Sequence, residues 1–359
     1  MEEEFFLIDP RSGRTTPRAE PVLGAVPPEL RRLVQREFAA CQVEVASSPH
    51  VNLEPLHAEL ALLRVVLARA ARAAGCRLVA AGVAPLEHSA SNARITDDAR
   101  YQRMAAEYGA IARGEHCCGC HVHVEVADDE EAVQVCNHLR PRLPVLHSLT
   151  VNSPFSGGAD SGYGSWRSVA LTRWPSVGLP PYFESAADYR ATVAALIRSG
   201  MILDEAMVYW LVRRSHHLPT VEIRVADVCA TASEAVLLAA VVRALVSTIL
   251  SDVRAGVPAP RHPEPLLRAA YWRAAHDGLE GDGLDVRSAD RIPAWRLVDT
   301  LIRDIGPALT VAGDLDRVTC QLAELRAGGS GAARQRAAYA RRHDLLDVIS
   351  STTPEPGGR

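Results

Sequence analysis

Four short stretches of this chain alternate ionisable and apolar residues at strand spacing: MEEEFFLID (1–9), QVEVA (42–46), CHVHVEV (120–126) and TVEIRVAD (220–227). In a strand, residues two apart share a face. Glu2 and Glu4 therefore share one face, with Glu3 opposite, and Gln42 shares a face with Glu44. His121, His123 and Glu125 form a third such row, Glu222 and Arg224 a fourth. The alternate positions are mostly Val, Ile and Phe. The pattern predicts a sheet with one polar face and one face packed on helices. A solvated face satisfies the same alternation, but such faces are usually rich in Thr, Lys and Ser. Here the residues are Glu, His and Arg. Carboxylates gathered on one face repel each other unless cations lie between them. Mg²⁺ or Mn²⁺, held by carboxylate oxygens with a histidine helping, resolves that repulsion. Each pair taken alone is more often structural than functional.

Around these strands, Leu53 to Ala74 has helical periodicity and stops at Gly75, while 77–85 reads as a buried strand closed by Pro85. Glu37 falls at the end of a short predicted helix. Asp97 or Asp98 caps a helix running through Met104 to about Ala112. Asp128 and Asp129 open another towards His147, interrupted by Pro141 and Pro144. Beyond 231 the pattern is helical, and the Pro- and Gly-rich end, 351–359, reads as a disordered tail. No internal repeat or linker divides the chain, so the expectation is one α+β domain over 1–350: a mixed or antiparallel sheet with long helices on one side.

Composition excludes several chemistries. The 39 basic residues are all arginine. Without lysine there is no Walker A lysine, pyridoxal Schiff base, lysyl-adenylate or carboxylated lysine bridging two metals. Any phosphate clamp must be built from arginine, backbone N–H groups and metal ions. A net charge of -4 and the lack of a basic stretch argue against nucleic acid or an anionic membrane as partner. The apolar run 235–250 carries Arg243 at its middle and reads as a buried helix. The acidic start is unlike a secretory signal, and the 8 scattered cysteines suit a reduced compartment, so a cytoplasmic location is expected.

Two glycine-rich stretches invite an anion. NSPFSGGADSGYGSW (152–166) is a long loop followed at once by Arg167. AGGSGAARQR (327–336) runs into a helix whose N-terminus lies near Arg334 and Arg336. The cluster CCGCH (117–121) is too tightly spaced for a C-x₂-C zinc pair and has no second pair downstream, so buried cysteines flanking a functional strand are expected there.

Taken in order, EEEFFLID, QVEV, CGCHVHV, NSPF with DSGYGSWRS, TVEIRVAD, YWRAAHDGL (271–279) and GSGAARQR resemble the carboxylate–amine ligases of the glutamate–cysteine ligase type 2 (YbdK-like) group, in the glutamine synthetase superfamily. The resemblance covers nearly the whole chain. It implies a glutamine synthetase-like catalytic fold whose concave sheet face holds ATP and two or three Mg²⁺ ions. It implies metal-binding roles for Glu2, Glu4, Glu37, Glu44, His121 and Glu222. It places Arg167, Arg224 and His121 at the chemistry, with Glu222, Arg224, Arg167 and Arg334 towards the nucleotide. The implied reaction joins an amino-acid carboxylate such as glutamate to an amine, and analogy implies a homodimer. The chain departs from the family pattern in three places. Met1 stands where several residues usually precede the first glutamate, Glu125 replaces a frequent glycine, and Ser156 an aromatic residue.

Two other readings fit part of the pattern. His121, His123 and Glu125 suit a zinc hydrolase with a metal-bound water, which leaves the remaining glutamates idle. A catalytically silent binder of nucleotide or an amino-acid derivative suits the departures.

Overall fold

The computed structural model of the protein describes residues 1–87 and 94–354. The alternating segments become strands of one antiparallel sheet. Its members are β1 (Glu2–Ile8), β2 (Val34–Arg36), β3 (Gln42–Ala46), β4 (Arg77–Val79), β5 (Gly119–Glu125), β8 (Val212–Arg214) and β9 (Thr220–Asp227), with the hairpins β6 (Phe155–Ser156)/β7 (Ala159–Asp160) and β10 (Asp282–Asp285)/β11 (Asp290–Pro293) lying apart. The order across the sheet is β2-β3-β1-β5-β9-β8. β1 runs beside β3 along most of its length, and its other edge is shared between β5 at its start and β4 at its end.

The helices are α1 (Ala19–Gly24), α2 (Leu53–Ala73), α3 (Ala99–Tyr108), α4 (Asp129–Leu139), α5 (Leu143–Ser148), α6 (Trp166–Leu171), α7 (Ala186–Arg198), α8 (Ala232–Arg254), α9 (Glu264–Asp277), α10 (Ala294–Ala312), α11 (Leu315–Gly328), α12 (Gly331–Ala340) and α13 (Leu345–Ser351). α2 and α8 cover the apolar face of the sheet. α8 is apolar on nearly every side and is long and hydrophobic enough to cross a membrane, but here it lies in the core beneath β5 and β9. A separate aromatic cluster, including Phe38, Met104, Tyr189 and Trp210, stands over the opposite, polar face and turns it into a cleft.

Several local expectations change. Glu37 does not end a helix. A 3₁₀ turn at Pro28–Leu33 leads into β2, and Glu37 follows that strand. The strand expected over 77–85 forms a ladder only as β4, with one isolated bridge further on, Val83 to Cys117. From Ala80 the backbone turns to other partners, with Ala80 N–H donating to the Thr352 carbonyl and Gly82 N–H to that of Asn152. Asp98 is the cap of α3, accepting from Arg100 N–H at 2.9 Å, and the helix stops at Tyr108 because Gly109 turns to φ 54°. The first residues of the expected tail are ordered: α13 includes Ser351, and the buried Thr352 hydroxyl donates to Val348 O at 3.1 Å. Residues 355–359 lie outside the described residues. The helix-side face is also not wholly apolar, since Glu3 is buried there against Arg64 of α2.

Candidate active site

The polar face lines a cleft of about 520 Å³. Register explains why its carboxylates meet. Glu4 stands opposite Glu44 across β1 and β3, and Glu2 stands opposite His121 across β1 and β5. β5 and β9 place His123 opposite Glu222. Glu2, Glu4, Glu37, Glu44, His121, Arg167, Glu222 and Arg224 all line the cleft.

The acidic end is electrostatically loaded. Burial, then the neighbouring Glu37, raises the Glu4 carboxyl to about 7, although Glu4 accepts from Gly119 N–H at 2.6 Å. Burial and then the charges of Glu37, Glu2 and Glu4 push Glu44 well above the ordinary carboxylate range, and its one side-chain donor is Gln35 Nε2 at 2.9 Å. Burial also raises Glu37. These are carboxylates in want of positive charge. Glu2 behaves differently. Burial alone would raise it, but hydrogen bonds and charge from His121 and His123 outweigh burial and hold it well below the usual range.

The histidines supply a geometric test of metal fit. His121 Nδ1 lies 3.0 Å from Glu2 Oε2, which only accepts, and 3.4 Å from Arg224 Nη1, which only donates; the shorter contact favours the tautomer with the proton on Nδ1. Burial, then Arg224, lowers the ring to about 4, so it is neutral near pH 7. Its Nε2 is buried with no hydrogen-bond partner among the described residues, and a free lone pair there with an oriented carboxylate behind it is the usual arrangement of a metal-ligating histidine. Two groups of candidate ligand atoms lie within 4.8 Å of one another: Glu2, Glu44 and His121, and Glu2, His123 and Glu222. A donor set of mainly carboxylate oxygen with some imidazole suits Mg²⁺ or Mn²⁺. The zinc-hydrolase trio does not form: Glu125 is exposed at the end of β5, outside both groups, whereas His121 and His123 both lie against Glu2.

Three arginines serve different ends. Arg213 grips Glu222 with both carboxylate oxygens engaged, at 2.7 and 3.1 Å, and Arg224 pairs with the same carboxylate. Burial favours a neutral Glu222, but Arg224 and Arg213 outweigh it and keep the group far below the ordinary range. Arg167 is buried, with Nε and Nη1 lacking hydrogen-bond partners among the described residues. Its Nη2 makes one long bond, 3.4 Å, to Arg224 O, and Asp227 lies 4.0 Å from Nη1. A Cβ on Gly119 would fall 2.5 Å from Arg167 Nη2, so only glycine on β5 lets this guanidinium lie against the strand. A buried guanidinium with free N–H groups in a cleft is an anion receptor.

Arg334 lies elsewhere. It donates to Gly329 O at 2.7 Å, pairs with Glu234, and does not line the cleft. The α12 N-terminus already has its anion: Glu280 accepts from Ser330 N–H at 2.8 Å. The 152–166 loop is likewise a brace and not a phosphate cradle. Asn152 N–H and the Ser153 and Ser165 hydroxyls converge on buried Asp227 at 2.7–2.9 Å, fixing the start of α6 and with it Arg167. Arg213 and Gln35 are the site residues that sequence reading passed over. The signal for Arg213 was present, since VRR, the turn SHHLP and TVEI read as a hairpin that sets it opposite Glu222. Gln35 sits in a three-residue strand with no comparable signal.

The profile of glutamate-cysteine ligase family 2 matches residues 1–351. The chain belongs to that family. A relative from Salinispora arenicola, which carries the provisional name glutamate–cysteine ligase 2, is 48% identical over 361 residues, covering 99% of this chain and 95% of its own length. A similarly named relative from Nocardia farcinica is 46% identical over 98% of this chain and 91% of its own. Among solved structures, the fold is similar to glutamate–cysteine ligase from Francisella tularensis in complex with AMP, with TM-score 0.70 at 14% identity over 98% of this chain and 86% of that one. It is also similar to a bifunctional glutathione synthetase from Pasteurella multocida, with TM-score 0.70 at 13% identity over 98% of this chain and 51% of that one. Family membership sets the protein among the carboxylate–amine ligases, and the sheet with its helix-covered back is the α+β fold expected from the strand pattern.

Proposed function

We propose that the protein is an ATP- and Mg²⁺-dependent ligase that joins an amino-acid carboxylate, glutamate in the first instance, to an amine. The observation that carries this reading is one cleft in which proton-hungry carboxylates and His121 Nε2 face the Arg167 guanidinium, whose Nε and Nη1, like His121 Nε2, have no hydrogen-bond partner among the described residues. Divalent cations, Mg²⁺ or Mn²⁺, bound by Glu2, Glu4, Glu37, Glu44, His121, His123 and Glu222 would neutralise nucleotide phosphates and the carboxylates together.

The substrate carboxylate oxygen attacks the γ-phosphorus, ADP leaves, and an acyl phosphate forms. The amine nitrogen then bonds to the acyl carbon as phosphate departs and the nitrogen sheds a proton. Arg167 presents the N–H groups of Nε and Nη1 to the phosphoryl oxygens, which carry most charge as the bond to ADP breaks. Glu222 and Arg213 hold Arg224 beside it by ion pairing, so neither cation reorganises during the step. No step calls for a lysine. A homodimer in the cytoplasm remains the expectation, and sedimentation would show the oligomeric state.

The test is to incubate the protein with Mg-ATP, glutamate and pooled amines including cysteine, measuring ADP and new amide masses together. ADP that requires both substrates, with a matching amide, is expected. Folded, cation-loaded protein that releases no ADP with any amine would overturn the ligase reading in favour of a silent nucleotide binder.

A further inference from the structure

The sheet that carries the cleft is weakly joined at its centre. β1 and β5 share only the pairs Glu2↔His121 and Glu3↔Cys120, whereas β5 and β9 pair from Gly119 to Glu125. The apolar core divides along the same line. One cluster gathers Phe5, Val43 and Leu67; another gathers Val122, Ile223 and Val241. Both groups of candidate ligands straddle it, with Glu2 and Glu44 on one side and His121, His123 and Glu222 on the other. On the cleft face, His121 to Glu2 and Gly119 N–H to Glu4 link the two sides through carboxylates that a cation would also draw on, while Gln42 Nε2 donates across to Cys117 O at 2.7 Å.

On the opposite face, Arg64 of α2 spans the line. Nη2 and Nε donate to the two oxygens of Glu3 at 2.5 and 3.1 Å. From the same guanidinium, Nη1 reaches Ala230 O at 3.1 Å and Nη2 reaches Cys229 O at 2.9 Å, where the chain leaves β9. Glu3 is 0% exposed and Arg64 4%. Apolar residues of similar volume usually stabilise a core as well as such a pair does, because both charges must be desolvated. The distinctive property of the pair is its geometry, a planar fork holding fixed partners on both sides of the joint.

We propose that Arg64 and Glu3 are positioning residues, a staple behind the sheet that keeps the two halves of the carboxylate–histidine cluster in register. Glu3 lies between Glu2 and Glu4 in β1, so a slip at Glu3 moves both. The functional half of the proposal rests on the cation-binding reading above.

The test compares wild type with Arg64→Lys and with Glu3→Gln/Arg64→Met, titrating Mn²⁺ alone by calorimetry. Thermal scans and amide exchange at residues 2–4 and 119–122 accompany the titration. Lysine keeps the charge but not the fork, and the double variant leaves no lone buried charge. Folded variants are expected to bind Mn²⁺ roughly 10–100-fold more weakly, the usual cost of losing a partner behind the ligands, and to exchange faster at the β1–β5 joint than along β9. Mn²⁺ affinity within about 2-fold of wild type in either folded variant overturns the proposal. So does failure of both variants to fold, which makes the pair a structural requirement. If the wild type binds no Mn²⁺, the cation reading falls and the staple is judged by exchange alone, where unchanged protection at the joint rejects it.

Discussion

At the residue scale, Glu44 makes the clearest prediction. Its carboxyl is pushed well above the ordinary 4.5, first by burial and then by Glu37, Glu2 and Glu4. The folded state therefore holds this proton more tightly than the unfolded chain does. The contribution is fully present below pH 4.5 and is lost as pH rises towards the raised value. Buried histidines such as His121 and His147, each lowered to about 4, act in the opposite sense but equally in wild type and variant. In the metal-free protein, Glu44→Gln is expected to match wild type in Tm near pH 5 and to exceed it increasingly towards pH 8. A thermal scan at each pH checks this; a difference that shrinks with rising pH refutes it. The same variant is expected to lose metal-dependent turnover by about 100-fold or more, since it removes a ligand carboxylate and leaves the cleft's shape intact.

At the scale of elements, the glycine-rich stretches hold the fold together where sequence reading gave them an anion. Asn152 donates to Ala80 O and Val228 O, both at 2.9 Å, and accepts from Gln335 Nε2 at 2.8 Å. A Cβ on Gly331, the first residue of α12, would stand 2.3 Å from Asn152 Oδ1. Alanine gains helix propensity of about 1 kcal/mol there, but the amide it strikes is locked by those bonds and has no room to yield. Gly331→Ala is expected to lose about 1–3 kcal/mol net, read as a lower urea midpoint at unchanged slope. Glycine abundance in a loop marks a close approach. Whether a phosphate or an asparagine approaches depends on what folds against it, so Arg334 looked like a nucleotide contact in sequence and is an α8 contact in space.

For the whole molecule, the proposed cation binding would be linked to folding, because the candidate ligands come from both halves of one sheet. An ion held by the folded state alone adds about 2.7 kcal/mol at a hundred times its Kd, which for a chain of this length is a rise of about 3–4 °C in Tm. Wild type is expected to show that rise with Mn²⁺ or Mg²⁺ in a thermal scan, and Glu44→Gln to show little of it. Equal rises in both would place the bound ion away from this cleft.

The sequence by itself determined the four strands, their polar faces and the residues on them, because strand geometry fixes which side chains share a face regardless of what packs outside. It also pointed to a buried α8, since a short apolar run with Arg243 at its middle suits a core better than a membrane. Tertiary structure decided the rest. The strand order sets Glu4 opposite Glu44 and Glu2 opposite His121, and register between strands distant in sequence is not written in either strand alone. It decided that Arg213 belongs to the site, that Glu125 and Arg334 do not, and that Glu3 finds Arg64 behind the sheet. Periodicity assigns each of these to a face; its partner is chosen only when the whole chain has packed.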